Sequence, residues 1–222
     1  MNKLVKSNIV VDFDGTLIAE DLGDTFGRWL VLHGLSSTWW GLSGLPLGVL
    51  NTTCRRLFNI PFCNRLFIGL PDNVLEQLAS TYVRDFASKF TLNFALIDWL
   101  ASVQHKKVLL TACPEFLVRA FLDYTGIEIF DEIRGQRRGR LGWIMNPTPF
   151  GRHKIKFLTH PIFCAIADSH SDRFVLKKSR NSVVIGENIR MRRMAQHEGW
   201  ITCGFGQPIP SLQFPETRAA LT

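Results

Sequence analysis

One short stretch near the N-terminus, residues 8–17, constrains the fold more than any other part of the chain. Its apolar run predicts a short buried strand that ends at Asp12, and Gly15 supplies the turn by which the backbone leaves the sheet. In an open α/β sheet, ligands bind in the crevice outside the carboxyl ends of the strands. Asp12 and Asp14 are therefore predicted to lie at a site. The alternative is an ordinary turn, since Asp and Gly are common turn residues.

Two later stretches repeat this arrangement of an apolar run followed by polar residues. Residues 107–111 predict a strand that ends at Thr111, and the amides that follow it, beginning at Ala112, precede a helix and predict a phosphate cradle. Residues 162–167 predict a buried strand that ends at Asp168, and Asp172 follows four residues later. A helix that begins after Asp168 would turn both acids towards one point. Carboxylate oxygens without soft ligands suit Mg²⁺.

Four motifs in this order resemble those of the haloacid dehalogenase superfamily. They are Asp12-Phe-Asp-Gly-Thr-Leu17, Thr111, Gly151-Arg-His-Lys-Ile-Lys-Phe-Leu158 and Ala167-Asp-Ser-His-Ser-Asp172, where Ala167 replaces the usual Gly. The resemblance implies an α/β fold with a Rossmann-like three-layer core, a parallel sheet and an inserted helical cap.

The same resemblance implies a role for each motif residue. Asp12 is expected to attack phosphorus, and Asp14 to act as general acid and then as base. Thr111 and Ala112 are expected to bind the phosphoryl group, and the alignment selects Lys154, not Lys156, as the cation that neutralises it. A Mg²⁺ ion is expected on a set of four residues, which are Asp12, Asp14, Asp168 and Asp172.

The distance between the first two predicted strands indicates an inserted lobe, because a plain crossover needs far fewer residues. We expect a core of residues 1–17 and 105–222 and a helical cap of residues 18–104, the position of the cap in the phosphoserine-phosphatase-like branch. Within the cap, an amphipathic helix is predicted from Pro71 to Phe86 with Asp72 as its N-cap. A second helix, residues 94–103, is predicted to lead back to the core.

The first half of the cap, residues 29–68, is unusually apolar. From Trp29 through Cys54 it contains no Asp, Glu, Lys or Arg, but several glycines and Pro46 interrupt it, so a single straight membrane span is not expected. Tryptophans followed by arginines favour a bent segment at an anionic membrane surface. In the alternative interpretation, these side chains form the interior of the cap.

The net charge of +7 predicts attraction to anions, namely nucleic acid, lipid headgroups or phosphorylated metabolites. The basic residues 134–143 resemble the β-hairpin that precedes the third motif, and we expect no nucleic-acid partner and no protein partner. Five scattered cysteines without a Cys-x-x-Cys pair favour a reducing cytosol. The first residues lead directly into a strand, so no cleavable signal peptide is expected.

Within the resembled superfamily, Asp14 favours a phosphatase, because a phosphatase needs an acid to protonate the leaving alkoxide. The resemblance therefore implies hydrolysis of a phosphate monoester through an aspartyl phosphate. The apolar cap is similar to that of the phosphatidylglycerophosphatase C type, which implies a lipid phosphate substrate and a peripheral location on the cytoplasmic face of the inner membrane. One alternative is a soluble phosphoserine-phosphatase-like enzyme, for which the cap offers Asp21, Asp24 and Arg28. The other is a membrane-associated binding module without catalysis.

Overall fold

The structure is a computed structural model, and it describes residues 8–35, 70–137 and 149–210. These residues form a six-stranded sheet in the order β3-β2-β1-β4-β5-β6, and every neighbouring pair is parallel. The strands are β1 Asn8–Val11, β2 Lys106–Pro114, β3 Glu132–Gln136, β4 Ile162–Ala167, β5 Ser179–Ile185 and β6 Ile201–Cys203.

Six α-helices lie in the described residues. They are α1 Leu22–Leu32, α2 Asp72–Phe86, α3 Phe94–Ser102, α4 Glu115–Thr125, α5 Arg173–Lys178 and α6 Ile189–Glu198. Side chains cap the start of three of them, since Asp21, Asn93 and Asn188 accept hydrogen bonds from amides in the first turn of α1, α3 and α6. The predicted capping role of Asp72 is wrong, because Pro71 is the N-cap of α2 and makes no side-chain bond.

Alternate residues of each central strand face opposite sides of the sheet, which gives two hydrophobic clusters. Val11 lies in the cluster that contains side chains of α1 to α4, and Val10 lies in the cluster that contains side chains of α5 and α6. Both faces of a parallel sheet are thus covered, as such sheets require. The predicted α/β fold with a Rossmann-like three-layer core is confirmed.

The helices between β1 and β2 share one hydrophobic cluster with the core helix α4. Phe26 of α1 packs edge-on against Phe116 of α4, with ring centroids 6.2 Å apart. Trp29 and Leu30, at the start of the predicted membrane-contacting segment, are buried in this cluster. For these two residues the structure agrees with the alternative interpretation, in which the side chains are buried in the interior and do not face a membrane. Residues 36–68 of that segment lie outside the described residues.

In the part of the chain that the structure describes, no helix has the length and apolar character to cross a membrane. At the start of the predicted hairpin of residues 134–143, residues 134–136 belong to β3 and pair in parallel with β2. The remainder of that stretch, from residue 138, lies outside the described ranges. The division into core and cap stays a prediction.

Candidate active site

Three carboxylates meet where β1 and β4 end. Asp12 follows β1, Asp168 follows β4, and Asp172 lies in the 3₁₀ turn His170–Asp172. One carboxylate oxygen from each of the three lies within 4.8 Å of the others. Residues 160 positions apart in the chain are thus brought to one edge of the sheet, because the carboxyl ends of parallel strands share that edge.

The ammonium group of Lys154 lies among these carboxylates. Lys154 is 3% exposed, and its Nζ donates to Asp12 Oδ1 at 2.7 Å and also contacts Asp172 Oδ1. Burial alone would lower the pKa of Lys154, but the charges of Asp12 and Asp172 outweigh the burial and raise it. Lys154 therefore remains an ammonium. Lys156, the alternative in the same motif, is exposed.

Burial raises the pKa of Asp12 well above its ordinary value, and the charge of Asp172 adds to this effect, while Lys154 opposes it. Burial and Asp172 likewise raise the pKa of Asp168 to about 6. These shifts have one physical cause, since three acids share one ammonium in a partly desolvated site. A further cation in the group would reverse them.

The carboxylate group fits a divalent metal ion on two observations. Asp168 Oδ1 is buried and has no hydrogen-bond partner among the described residues. A Cβ at Gly15 would lie 2.3 Å from Asp168 Oδ2, so only glycine leaves room for the loop to pass this close to the acid. Carboxylate oxygens suit Mg²⁺, a hard cation that binds oxygen ligands and retains several waters.

Asp14 lies two residues from Asp12 but in a different environment. Its Oδ1 accepts the Leu22 amide at the start of α1, at 2.8 Å. Burial and the charge of Asp21 raise the pKa of Asp14 well above its ordinary value, and the amide bond opposes this rise. This environment therefore favours the protonated form of Asp14 more than water favours that of an exposed aspartate.

The end of β2 forms the next wall of the site. The hydroxyl of Thr111 accepts a hydrogen bond from the Cys113 amide at 3.0 Å, and a hydroxyl that accepts can still donate its own hydrogen, for example to a phosphoryl oxygen. Thr111 and Ala112 line one cavity of about 280 Å³ together with Asp12, Asp14, Lys154 and Asp168. The structure thus brings the predicted catalytic and phosphate-binding residues together. Asp172 contacts Lys154, is 2% exposed and is not among the residues that line this cavity.

Sequence reasoning did not identify several residues of this cavity. The hydroxyls of Ser169 and Ser171 donate to Asp172 Oδ2 at 2.7 and 3.0 Å. Glu20 accepts the amide and the hydroxyl of Thr91, and Phe150 forms part of the lining. The next residue, Asp21, which belongs to the predicted helical cap, also lines the cavity. Both serines lie within the fourth motif, whose serine Ser169 matches, but the sequence analysis assigned roles only to Asp168 and Asp172.

His170 lies between the two acids of the fourth motif. It is half-buried, and its Nδ1 lies 2.8 Å from Arg173 Nη1. Burial and the charge of Arg173 lower the pKa of His170, so the neutral imidazole is favoured. His170 is not among the residues whose ligand atoms converge with those of Asp12 and Asp168.

The fold and the site define an α/β enzyme with an acidic centre at the carboxyl edge of its sheet. The chain belongs to the haloacid dehalogenase-like hydrolase family, whose model matches residues 9–177. The predicted family and enzyme class, a hydrolase of the haloacid dehalogenase type, are confirmed.

Solved structures are similar to this chain in fold. A protein of unknown function from Bordetella pertussis Tohama I has a TM-score of 0.67 at 15% identity, over 89% of this chain and 98% of that one. A phosphoserine phosphohydrolase-like protein from Francisella tularensis subsp. tularensis SCHU S4 has a TM-score of 0.54 at 15% identity, over 88% and 94% of the two chains.

A third similar structure is cytosolic 5′-nucleotidase IIIB bound to cytidine, with a TM-score of 0.56 at 14% identity over 92% of this chain and 81% of that one. A comparison with curated proteins gives no match. At these identities the structural likeness shows the fold, and the substrate has to be argued from the site.

Proposed function

We propose that the protein hydrolyses phosphate monoesters through a phosphoaspartate on Asp12. The observation that carries this proposal is the convergence of Asp12, Asp168 and Asp172 on the buried ammonium of Lys154, beside Thr111. An anionic nucleophile and a phosphoryl dianion repel each other, and a preorganised cation between them lowers that barrier.

In the proposed first step, an Asp12 carboxylate oxygen attacks phosphorus and the bond from phosphorus to the ester oxygen breaks. Asp14 gives its proton to the departing alkoxide. Lys154 and the hydroxyl of Thr111 hold the phosphoryl oxygens. In the second step Asp14 takes a proton from a water that attacks phosphorus, which releases inorganic phosphate and restores the Asp12 carboxylate.

Asp12, Asp168 and the carbonyl of Asp14 would hold Mg²⁺, with Asp172 in support. The ion, when bound, supplies charge neutralisation and orientation of the phosphoryl oxygens. Its binding is supported by Asp168 Oδ1, a buried oxygen that has no hydrogen-bond partner in the described part of the chain.

The decisive variant is Asp12→Asn, which keeps the shape of the side chain and removes the nucleophile. Loss of a covalent nucleophile costs on the order of 10⁴-fold or more in kcat. The measurement is phosphate release, with thermal unfolding as the check on folding. Activity of this variant within tenfold of wild type would contradict the phosphoaspartate mechanism.

For the substrate we propose a lipid phosphate such as phosphatidylglycerophosphate, with the enzyme at the cytoplasmic face of the inner membrane. The support is the sequence of the apolar segment together with the end of α1, where Leu32 is 82% exposed. Exposed apolar residues next to arginines are typical of a surface that contacts anionic lipid.

A soluble phosphoserine-phosphatase-like activity is the second candidate, and one observation favours it. Asp21 and Asp24 line the cavity beside Asp14, so this side suits a small polar leaving group. The two candidates are separated by phosphate release from phosphatidylglycerophosphate in mixed micelles and from phosphoserine in buffer, each with and without Mg²⁺. Turnover of phosphoserine alone overturns the lipid proposal.

A further inference from the structure

The wall of the cavity formed by β2 is a bulge. Leu110 pairs with Arg134 and Pro114 pairs with Gln136, so three residues of β2 lie opposite the single residue Gly135 of β3. The three bulge residues are Thr111, Ala112 and Cys113, and all of them line the cavity. Bulges next to active sites direct side chains and amides towards the ligand.

Gly135 lies directly under this bulge. A Cβ at this position would lie 2.7 Å from Glu115 Cα and 2.8 Å from the Cys113 carbonyl oxygen. These are backbone atoms on both sides, so no side-chain rotation relieves the overlap. The close approach fixes how far the bulge is displaced from β3.

Glu115 connects the far end of the bulge to the same strand. Its Oε2 accepts the Gly135 amide at 3.3 Å and Arg137 Nε at 2.6 Å. Its Oε1 accepts Arg137 Nη2 at 2.9 Å and Arg119 Nη2 at 2.8 Å. One carboxylate, 8% exposed, thus joins the start of α4 to the end of β3.

Charge-assisted hydrogen bonds in this geometry are the strong ones. Burial alone would raise the pKa of Glu115, but the bonds from Arg137 and Arg119 outweigh it and lower the pKa. The carboxylate is therefore ionised at neutral pH. It lies outside the cavity, so it does not touch a bound phosphoryl group.

We propose that Glu115 is a positioning residue, which acts through Gly135 to hold the bulge Thr111–Cys113 in the shape that binds the phosphoryl group. This inference rests on the proposed function, since the bulge carries the phosphate-binding Thr111 and Ala112. Residues that orient a binding group from behind typically contribute about 10- to 100-fold to affinity or activity.

The test compares Glu115→Gln with Glu132→Gln. Glu132 also binds two cations, Arg134 at 2.7 Å and Lys106 at 3.1 Å, but it lies at the opposite end of β3. Both variants therefore lose comparable ion pairs, and only one of them releases the bulge. The readouts are kcat and KM for p-nitrophenyl phosphate, the inhibition constant of inorganic phosphate and the melting temperature.

We expect Glu115→Gln to raise KM and the inhibition constant of phosphate by about tenfold or more, and Glu132→Gln to change them by less than about twofold. Arg137→Gln, which changes an exposed side chain, should shift them in the same direction by a smaller factor. If Glu115→Gln and Glu132→Gln have equal KM values and equal inhibition constants of phosphate, the proposal is overturned. If Glu115→Gln does not fold, Arg137→Gln is compared with wild type instead, and equal constants in these two proteins overturn the proposal.

Titration calorimetry with inorganic phosphate and Mg²⁺ separates the two proposals. A wild-type protein that binds phosphate without hydrolysing any ester refutes the proposed function, and weaker binding by Glu115→Gln then still supports the positioning role. A wild-type protein that neither binds phosphate nor hydrolyses esters overturns both.

Discussion

The cavity has two halves, named for their proposed roles: a phosphoryl half around Asp12 and Lys154 and a leaving-group half around Asp14 and Asp21. Each half contains a buried aspartate, and the two aspartates have different partners. In the phosphoryl half, Asp12 is hydrogen-bonded to the buried ammonium of Lys154 at 2.7 Å. In the leaving-group half, Asp14 accepts the Leu22 amide. Burial and a neighbouring carboxylate raise the pKa of both aspartates, and the ammonium of Lys154 opposes this rise at Asp12 whereas an amide opposes it at Asp14. Two aspartates two positions apart thus have different partners, which suits Asp12 to the proposed task of nucleophile and Asp14 to that of acid.

The largest effect that tests this comparison is expected from Asp14→Asn. Loss of a general acid lowers kcat on the order of 10²- to 10⁴-fold for an alkyl phosphate, whose alkoxide needs a proton. Hydrolysis of p-nitrophenyl phosphate should fall much less in the first step, because its leaving group departs unprotonated. The check is the burst of p-nitrophenolate in rapid-quench experiments. Equal losses for the two esters would show that Asp14 is not the acid.

The next effect is expected in the phosphoryl half, from Lys154→Met. Removal of a preorganised charge costs on the order of 10²- to 10³-fold in kcat. Because Asp12 and Asp172 then lose their shared cation, the free energy of unfolding of the metal-free protein at neutral pH should fall by about 3 kcal/mol.

Lys156→Met is the matched control for that variant, since Lys156 lies two residues away and is exposed. Steady-state kinetics and urea unfolding measure the two effects. If the two methionine variants behave alike, Lys154 is not the cation of the site.

The smallest effect concerns pH and metal. The folded-state pKa of Asp168 is raised to about 6, so between its ordinary value and that value the folded protein binds more protons than the unfolded chain. Stability of the metal-free protein should therefore increase as the pH falls through this window, until both states are protonated. Mg²⁺ should offset the loss at higher pH by binding the ionised group.

Melting temperatures at about pH 5 and about pH 8, each with chelator and with Mg²⁺, test that expectation. We expect the stabilisation by Mg²⁺ to be several degrees larger at the higher pH. In Asp168→Asn the dependence on Mg²⁺ should weaken. A wild-type melting temperature unaffected by Mg²⁺ at the higher pH would argue against a metal site at these residues.

Local patterns predicted much of this molecule because their causes are local. The apolar runs before Asp12 and Asp168 specified buried strands with acids at their ends, and the family motif favoured Lys154 over Lys156. The strand β3 was not predicted over Glu132–Gln136, because this stretch has a single large apolar residue, Ile133, and no apolar run. Its position depends on pairing with β2, which sequence periodicity does not report.

The sequence alone predicts which side chains are candidates for the chemistry, since strand ends and motif spacing are properties of short segments. The packed structure gives their distances and electrostatic surroundings, such as the position of Lys154 between Asp12 and Asp172 and the contact of Glu115 with Gly135, twenty positions along the chain. These cannot be obtained from one segment, because burial and electrostatic coupling arise when separate segments pack together. A pKa or a close backbone contact therefore belongs to the assembled edge of the sheet, not to any one motif.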